Sequence, residues 1–108
     1  MRPAVQNLFS ALPARLQDEL IDVLVRAGAV RLERIVSLGH ATPPGEWLDQ
    51  EHDEWVVLLR GSAALAFEGE AGRVEMRPGD HLIIPARRRH RVEWTDRAGA
   101  TVWLALHY

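Results

Sequence analysis

The spacing of hydrophobic positions changes once along the chain. From about Pro13 to Ala27, Leu16, Leu20, Leu24 and Ala27 recur on one helical stripe with Ile21 beside it, while Arg15 and Gln17 to Glu19 fall on the solvated side. Pro13 suits a first helical turn, and Gly28 suits the left-handed position after a last one. The spacing predicts an amphipathic helix of about four turns, which would pack on a sheet face or on a partner subunit.

After Gly28 the texture becomes β-branched and alternating. Val30 to Leu38, Glu54 to Arg60, Ser62 to Glu68, Arg73 to Arg77, His81 to Ile84, His90 to Thr95 and Thr101 to His107 are strand-length runs. Turn residues separate them at Thr42-Pro43-Pro44-Gly45, Gly61, Gly69 to Gly72, Pro78-Gly79-Asp80 and Asp96 to Gly99. Short strands at this spacing, with no helical period between them, predict an all-β antiparallel sandwich or barrel rather than a βαβ fold. The expected organisation is a helical extension over residues 1–29 and a barrel domain over 30–108.

Alternation also assigns faces. Ala63, Leu65 and Phe67 share one side of their run; Glu54, Val56 and Leu58 share one side of theirs, opposite Trp55, Val57 and Leu59. His90, Val92 and Trp94 lie together, opposite Arg91, Glu93 and Thr95. Glu54 and His90 therefore stand on faces otherwise filled with core side chains. An unpaired buried carboxylate is costly, which leaves two readings. Either the two residues hydrogen-bond each other or a nearby arginine, or they hold a divalent metal, since neutral imidazole and carboxylate together suit Mn, Fe, Ni or Zn.

Composition narrows the chemistry. The 108 residues suit a single core, and 47% hydrophobic with 26% charged residues is ordinary for a globular domain. All 13 basic residues are arginine, which excludes Schiff-base lysine chemistry, and the absence of cysteine excludes thiolate ligands, disulfides and cysteine nucleophiles. A net charge of −2 gives no reason to expect nucleic-acid or membrane binding. No apolar run approaches the roughly 18 residues of a membrane span, and the N-terminus lacks the apolar core of a signal peptide. The expected location is the cytoplasm.

The stretch Gly79, Pro85, His90, preceded by Arg77-Pro78-Gly79-Asp80 and the apolar Leu82 to Ile84, resembles the second sequence motif of the cupin superfamily, with Arg87 and Trp94 standing where that motif has Gly and Asn. Glu54 and Gly61 resemble the second half of the first cupin motif, and Gly45 its first glycine. The two histidines of that motif are missing: depending on the gap, Leu48 and Gln50, or Trp47 and Asp49, take their places. The segments around Gly39-His40, Pro43 to Gly45, Trp47 and Val102-Trp103-Leu104 also resemble small single-domain bacterial cupins with a helical N-terminal extension. The resemblance, which covers about Val30 to Tyr108, implies a cupin-type antiparallel β-barrel (double-stranded β-helix, or jelly roll). It implies a metal site depleted from the usual three histidines and one glutamate, with Glu54, His90, Gln50 and His40 as candidate ligands. His52 reads more as part of an exposed turn.

Around His90, Arg87, Arg88, Arg89 and Arg91 form a basic cluster that is either a solvated, ion-paired turn or a grip for an anionic ligand. Arg87 and Arg91 are the candidates for that grip, and Trp94 for a cavity wall. Three functions follow: a metal-binding cupin that binds or acts on a small oxygen-bearing, anionic molecule at the barrel mouth, as an oxygenase or isomerase would; a metal-free, non-catalytic ligand-binding barrel; or a metal-free acid–base cupin resembling sugar epimerases, in which His90 is oriented by Glu54. No organic cofactor is indicated. The apolar strands and the amphipathic segment both need cover, which predicts a homodimer.

Overall fold

The chain, described here by a computed structural model over residues 2–108, folds into eight strands. They are β1 Leu20–Ala27, β2 Val30–Ser37, β3 Glu54–Arg60, β4 Ala63–Phe67, β5 Val74–Met76, β6 His81–Ile84, β7 His90–Thr95 and β8 Thr101–His107. Each run expected from alternation is a strand, β2 to β8. The pairings are antiparallel and form a five-stranded sheet in the order β1-β2-β8-β3-β6 and a three-stranded sheet in the order β5-β4-β7.

Between the sheets lies one apolar cluster. Val56 and Leu58 of β3, Trp103 and Ala105 of β8 and Ile84 of β6 meet Ala63 and Leu65 of β4, with Met76 closing one side. Leu58 and Met76 are almost wholly withdrawn from water, and full burial of such side chains contributes about 2 kcal/mol each. The indole Nε1 of Trp103 donates to Ser37 Oγ at 3.2 Å, so its burial leaves no donor unpaired.

The expected helix over residues 13–27 is not found; no helix is present among the described residues, and hence none long and apolar enough to cross a membrane. Leu20–Ala27 instead pairs with β2. The leucines at four-residue spacing fit a helix, but Ile21, Val23 and Val25 also alternate, and β-branched residues favour an extended chain. Gly28 fits either outcome. Its φ of +58° lies in the left-handed region, which serves a helix end and a two-residue hairpin loop equally well; here Ala27 faces Val30 across such a loop. Asp22 and Arg34 are directly opposite in the two strands, and the Arg34 Nε donates to the Asp22 carboxylate at 2.9 Å. Arg34 also donates through Nη1 to the carbonyls of Leu8 and Ser10, at 3.0 and 3.1 Å, tying the N-terminal segment to the sheet.

Two irregularities shape the inner surface. In β3 the register against β8 shifts between Leu58 and Arg60. In β7 the residues facing Ala64 and Leu65 are Trp94 and Val92, so Glu93 is an extra, bulged residue. A one-residue bulge exchanges the faces of everything beyond it. The inward row is therefore His90, Val92 and Thr95, and Trp94, which strict alternation puts beside His90, turns to the other side. Thr95 is buried opposite Ala63, and its hydroxyl donates to the His40 carbonyl at 2.6 Å.

Candidate functional site

A cavity of about 380 Å³ opens between the two sheets. Its walls are Ile35, Val56, Leu65, Ile84, Val92 and Trp103, and its polar groups come from six places in the chain: Glu19, Arg31 with Glu33, Asp49 with Gln50, Glu54, and the imidazoles of His90 and His107. Glu54 and His90 are brought into one cavity, as their positions on core faces predict. They are not bonded to each other.

Glu54 is the first residue of β3 and is buried between Ile84 of β6 and His107 of β8. Its Oε1 accepts from the Gln50 amide at 2.7 Å. His90 opens β7. Its backbone is clamped by Leu48, whose N–H donates to the His90 carbonyl at 2.6 Å while its carbonyl accepts from the His90 N–H at 3.1 Å. This bridge brings the loop before β3 against β7 and so sets Gln50 near both sheets. The His90 ring donates from Nδ1 to the Arg88 carbonyl at 2.8 Å, because a carbonyl oxygen can only accept. In the neutral ring Nε2 is then the acceptor, fixed by the bond at the opposite nitrogen.

The other proposed site residues lie elsewhere. His40 does not line the cavity: its Nδ1 accepts from the Leu38 N–H at 2.9 Å and its Nε2 donates to the Gln17 carbonyl at 3.1 Å, so both ring nitrogens hold backbone. His52 is exposed. Trp94 is outside the lining because the bulge at Glu93 turns it to the other side of β7. The arginine cluster also faces away from the cavity. Arg87 spans Asp49 and Glu51 at 3.3 and 3.4 Å, Arg89 meets Glu68 at 2.9 Å, and Arg88 lies 5.3 Å over the Phe67 ring. Arg91 donates to the Thr42 carbonyl at 3.0 Å and faces Glu93 at 3.7 Å.

Two groups escaped the reading of the sequence. On β2, Arg31 and Glu33 share the inward face with Ile35 and Ser37, and on β8 His107 shares it with Trp103 and Ala105. His107 Nε2 lies 2.9 Å from Glu33 Oε1, and Arg31 Nε donates to Glu33 Oε2 at 2.8 Å. The same alternation that singled out Glu54 was the signal for both. Glu19, just before β1, is a third: its carboxylate accepts from Ser37 Oγ.

The donor set bears on the metal expectation. Where three histidines and a glutamate would be needed, Leu48 presents an alkyl side chain with no donor atom and Gln50 a neutral amide that donates its N–H to Glu54 and offers only a carbonyl oxygen in place of an imidazole. Among the described residues no three His, Cys, Asp or Glu side chains are grouped so as to hold a metal ion. The residues present do not make up that ligand set.

The family model described as a cupin domain matches residues 35–107. The chain belongs to the cupin family. Among solved structures, a protein from Ralstonia eutropha JMP134, named provisionally as a mannose-6-phosphate isomerase, is 47% identical, with a TM-score of 0.94 and 97% of each chain covered. A cupin superfamily protein from Desulfitobacterium hafniense DCB-2 is 20% identical, with a TM-score of 0.71 over 89% of this chain and 82% of that one. Hydroxypropylphosphonic acid epoxidase from S. wedmorenis is 13% identical, with a TM-score of 0.69 over 83% of this chain and 50% of that one. The last two likenesses are of fold alone. A comparison with curated proteins finds no match.

Proposed function

We propose that this cupin takes a small, hydroxyl-bearing molecule without net negative charge into the barrel cavity, and holds it by hydrogen bonds to Glu54, His90 and their neighbours rather than through a metal. One observation carries this reading: the cavity lining sets the carboxylates of Glu19, Glu33, Asp49 and Glu54 against a single guanidinium, Arg31, which is already paired. Carboxylates accept from hydroxyl and ammonium groups, and O–H···O⁻ bonds are among the strong ones. In a poorly solvated cavity the same carboxylates repel phosphate and carboxylate ligands. Neither arginine that was a candidate for an anion grip lines the cavity: Arg87 is paired from outside with Asp49 and Glu51, and Arg91 with Glu93.

Size and shape agree with this. A cavity of about 380 Å³ is at the small end of ligand pockets, where apolar walls exclude water and a few polar groups orient the ligand. The provisional name of the Ralstonia eutropha protein makes a hexose the natural first probe, and the lining suits its hydroxyls better than a phosphate. Groups that bind hydroxyls in this way are also the groups that move protons, so acid–base chemistry is within reach of the same site.

Calorimetric titration of chelator-treated protein with mannose and with mannose 6-phosphate tests the reading. Mannose is expected to bind with 1:1 stoichiometry, the phosphate to add no affinity, and Glu54→Gln to weaken mannose by about tenfold, the worth of one charge-assisted hydrogen bond. Binding that appears only after Mn, Fe, Ni or Zn is added, or only for anionic compounds, would overturn it.

A further inference from the structure

Resting on the reading of this cavity as the ligand site, we propose that His107, held by Glu33 and Arg31, is the acid–base group that takes the ligand's proton. The sequence pattern points first to His90 as such a group, oriented by Glu54. In the folded chain His90 is oriented by a backbone carbonyl, and Glu54 is bonded to Gln50. The imidazole that does face a carboxylate inside the cavity is His107.

The sheet builds the arrangement. In the register of β2 against β8, Arg31 faces His107 and Glu33 faces Ala105. Glu33 and His107 are thus diagonal neighbours on one face, and the small side chain of Ala105 leaves room between them. His107 and Glu33 are 5% and 8% exposed, so water screens their interaction little. Glu33 accepts on both oxygens, from Arg31 Nε at 2.8 Å and from His107 Nε2 at 2.9 Å. Because a carboxylate only accepts, the proton of the neutral ring is on Nε2, and Nδ1 carries a lone pair.

That Nδ1 is buried and has no hydrogen-bond partner. An unpaired buried acceptor is costly, and an orphaned group of this kind calls for an explanation such as a bound water or a catalytic role. Glu54 lies directly opposite His107 across β3 and β8, so a ligand seated against Glu54 is within side-chain distance of the ring. A ligand hydroxyl donates to Nδ1. When the proton crosses, the O–H bond breaks with its electron pair left on oxygen, an N–H bond forms, and Glu33 balances the resulting imidazolium. Return of the proton restores both partners. Arg31 is a positioning residue, since it fixes the carboxylate that fixes the ring.

The test has a ligand-free arm and a ligand arm. In protein labelled with ¹⁵N-histidine, His107 is expected as the Nε2-protonated tautomer, with Glu33→Gln loosening this into a mixture; an Nδ1-protonated ring in the wild type would overturn the proposal whatever the ligand proves to be. On adding mannose, the Nδ1 signal should move, and His107→Gln should weaken mannose binding about tenfold. Wild-type binding with an unmoved Nδ1 signal, or with affinity retained in His107→Gln, refutes the role of His107 while leaving the cavity reading intact. If wild-type protein binds no mannose, the cavity reading fails in its sugar form, and the tautomer of the ligand-free ring still decides whether the lone pair is placed as inferred.

Discussion

Gly61 joins β3 to β4, where the chain leaves the five-stranded sheet for the three-stranded one, and its replacement by alanine should be among the most damaging single-atom additions in this barrel. Its φ is +89°, and a left-handed conformation costs a non-glycine residue about 1–2 kcal/mol. The added Cβ would also stand 2.7 Å from Thr101 Cα and 2.9 Å from the Ala100 carbonyl oxygen, with Thr101 Oγ1 closer still. Thr101 Cα and the Ala100 carbonyl are backbone atoms at the entry to the central strand β8 and cannot swing aside; overpacking of this kind adds about 1–3 kcal/mol. The move would also strain the Ser62 carbonyl, which accepts from Thr101 Oγ1 at 3.2 Å and from the Asp96 N–H at 3.0 Å. Gly69 provides the control, because its φ is +86° but nothing lies within 4 Å of an added Cβ. Gly69→Ala should therefore lose about 1 kcal/mol, or about 6 °C of Tm, and Gly61→Ala about 3 kcal/mol, or about 18 °C. Urea unfolding followed by tryptophan fluorescence measures both. Equal losses at the two positions would refute the claim that close approach, rather than backbone conformation, makes Gly61 irreplaceable.

Three further outcomes follow from the same structure. Arg87→Ala should leave sugar binding unchanged and the melting temperature nearly so, since its pairs with Asp49 and Glu51 are long and exposed; a clear loss of ligand affinity in calorimetry would return the arginine cluster to the site. Arg34→Ala should free the N-terminal segment by removing its bonds to Leu8, Ser10 and Asp22, seen as faster proteolysis before β1; unchanged cleavage would show that other contacts hold the segment. Strand β1 is a sheet edge with Ile21, Val23 and Val25 about half exposed, so sedimentation should find a homodimer that Val25→Lys dissociates; a monomer at high micromolar concentration would contradict this.

Much of this fold is legible in the sequence because its strands are half-buried ribbons, in which polar and apolar residues must alternate. Glu54 and His90 stood out for that reason. The failures have one cause each. Residues 20–27 satisfy two periods at once, and only pairing with Val30–Ser37, a tertiary fact, selects the strand. The displacement of Trp94 follows from one bulged residue, Glu93, and a bulge leaves no mark in an alternation pattern until the partner strand is known. His107 and Glu33 lie 74 residues apart in the chain; alternation puts each on an inward face, but nothing in either strand alone says that they meet. His40 resembles a ligand in sequence but serves as a clasp between the Leu38 N–H and the Gln17 carbonyl.

The most direct test of the central claim is to map where a neutral sugar binds in metal-free protein, using methyl signals in nuclear magnetic resonance. With chelator present, mannose should shift the methyl groups of Ile35, Val56, Leu65, Ile84 and Val92, which wall the cavity, and leave those of exposed Val5 and Val74 unmoved. Shifts that require an added divalent metal, or that leave the cavity methyls unmoved while the signals of Arg87 to Arg91 change, would contradict the account.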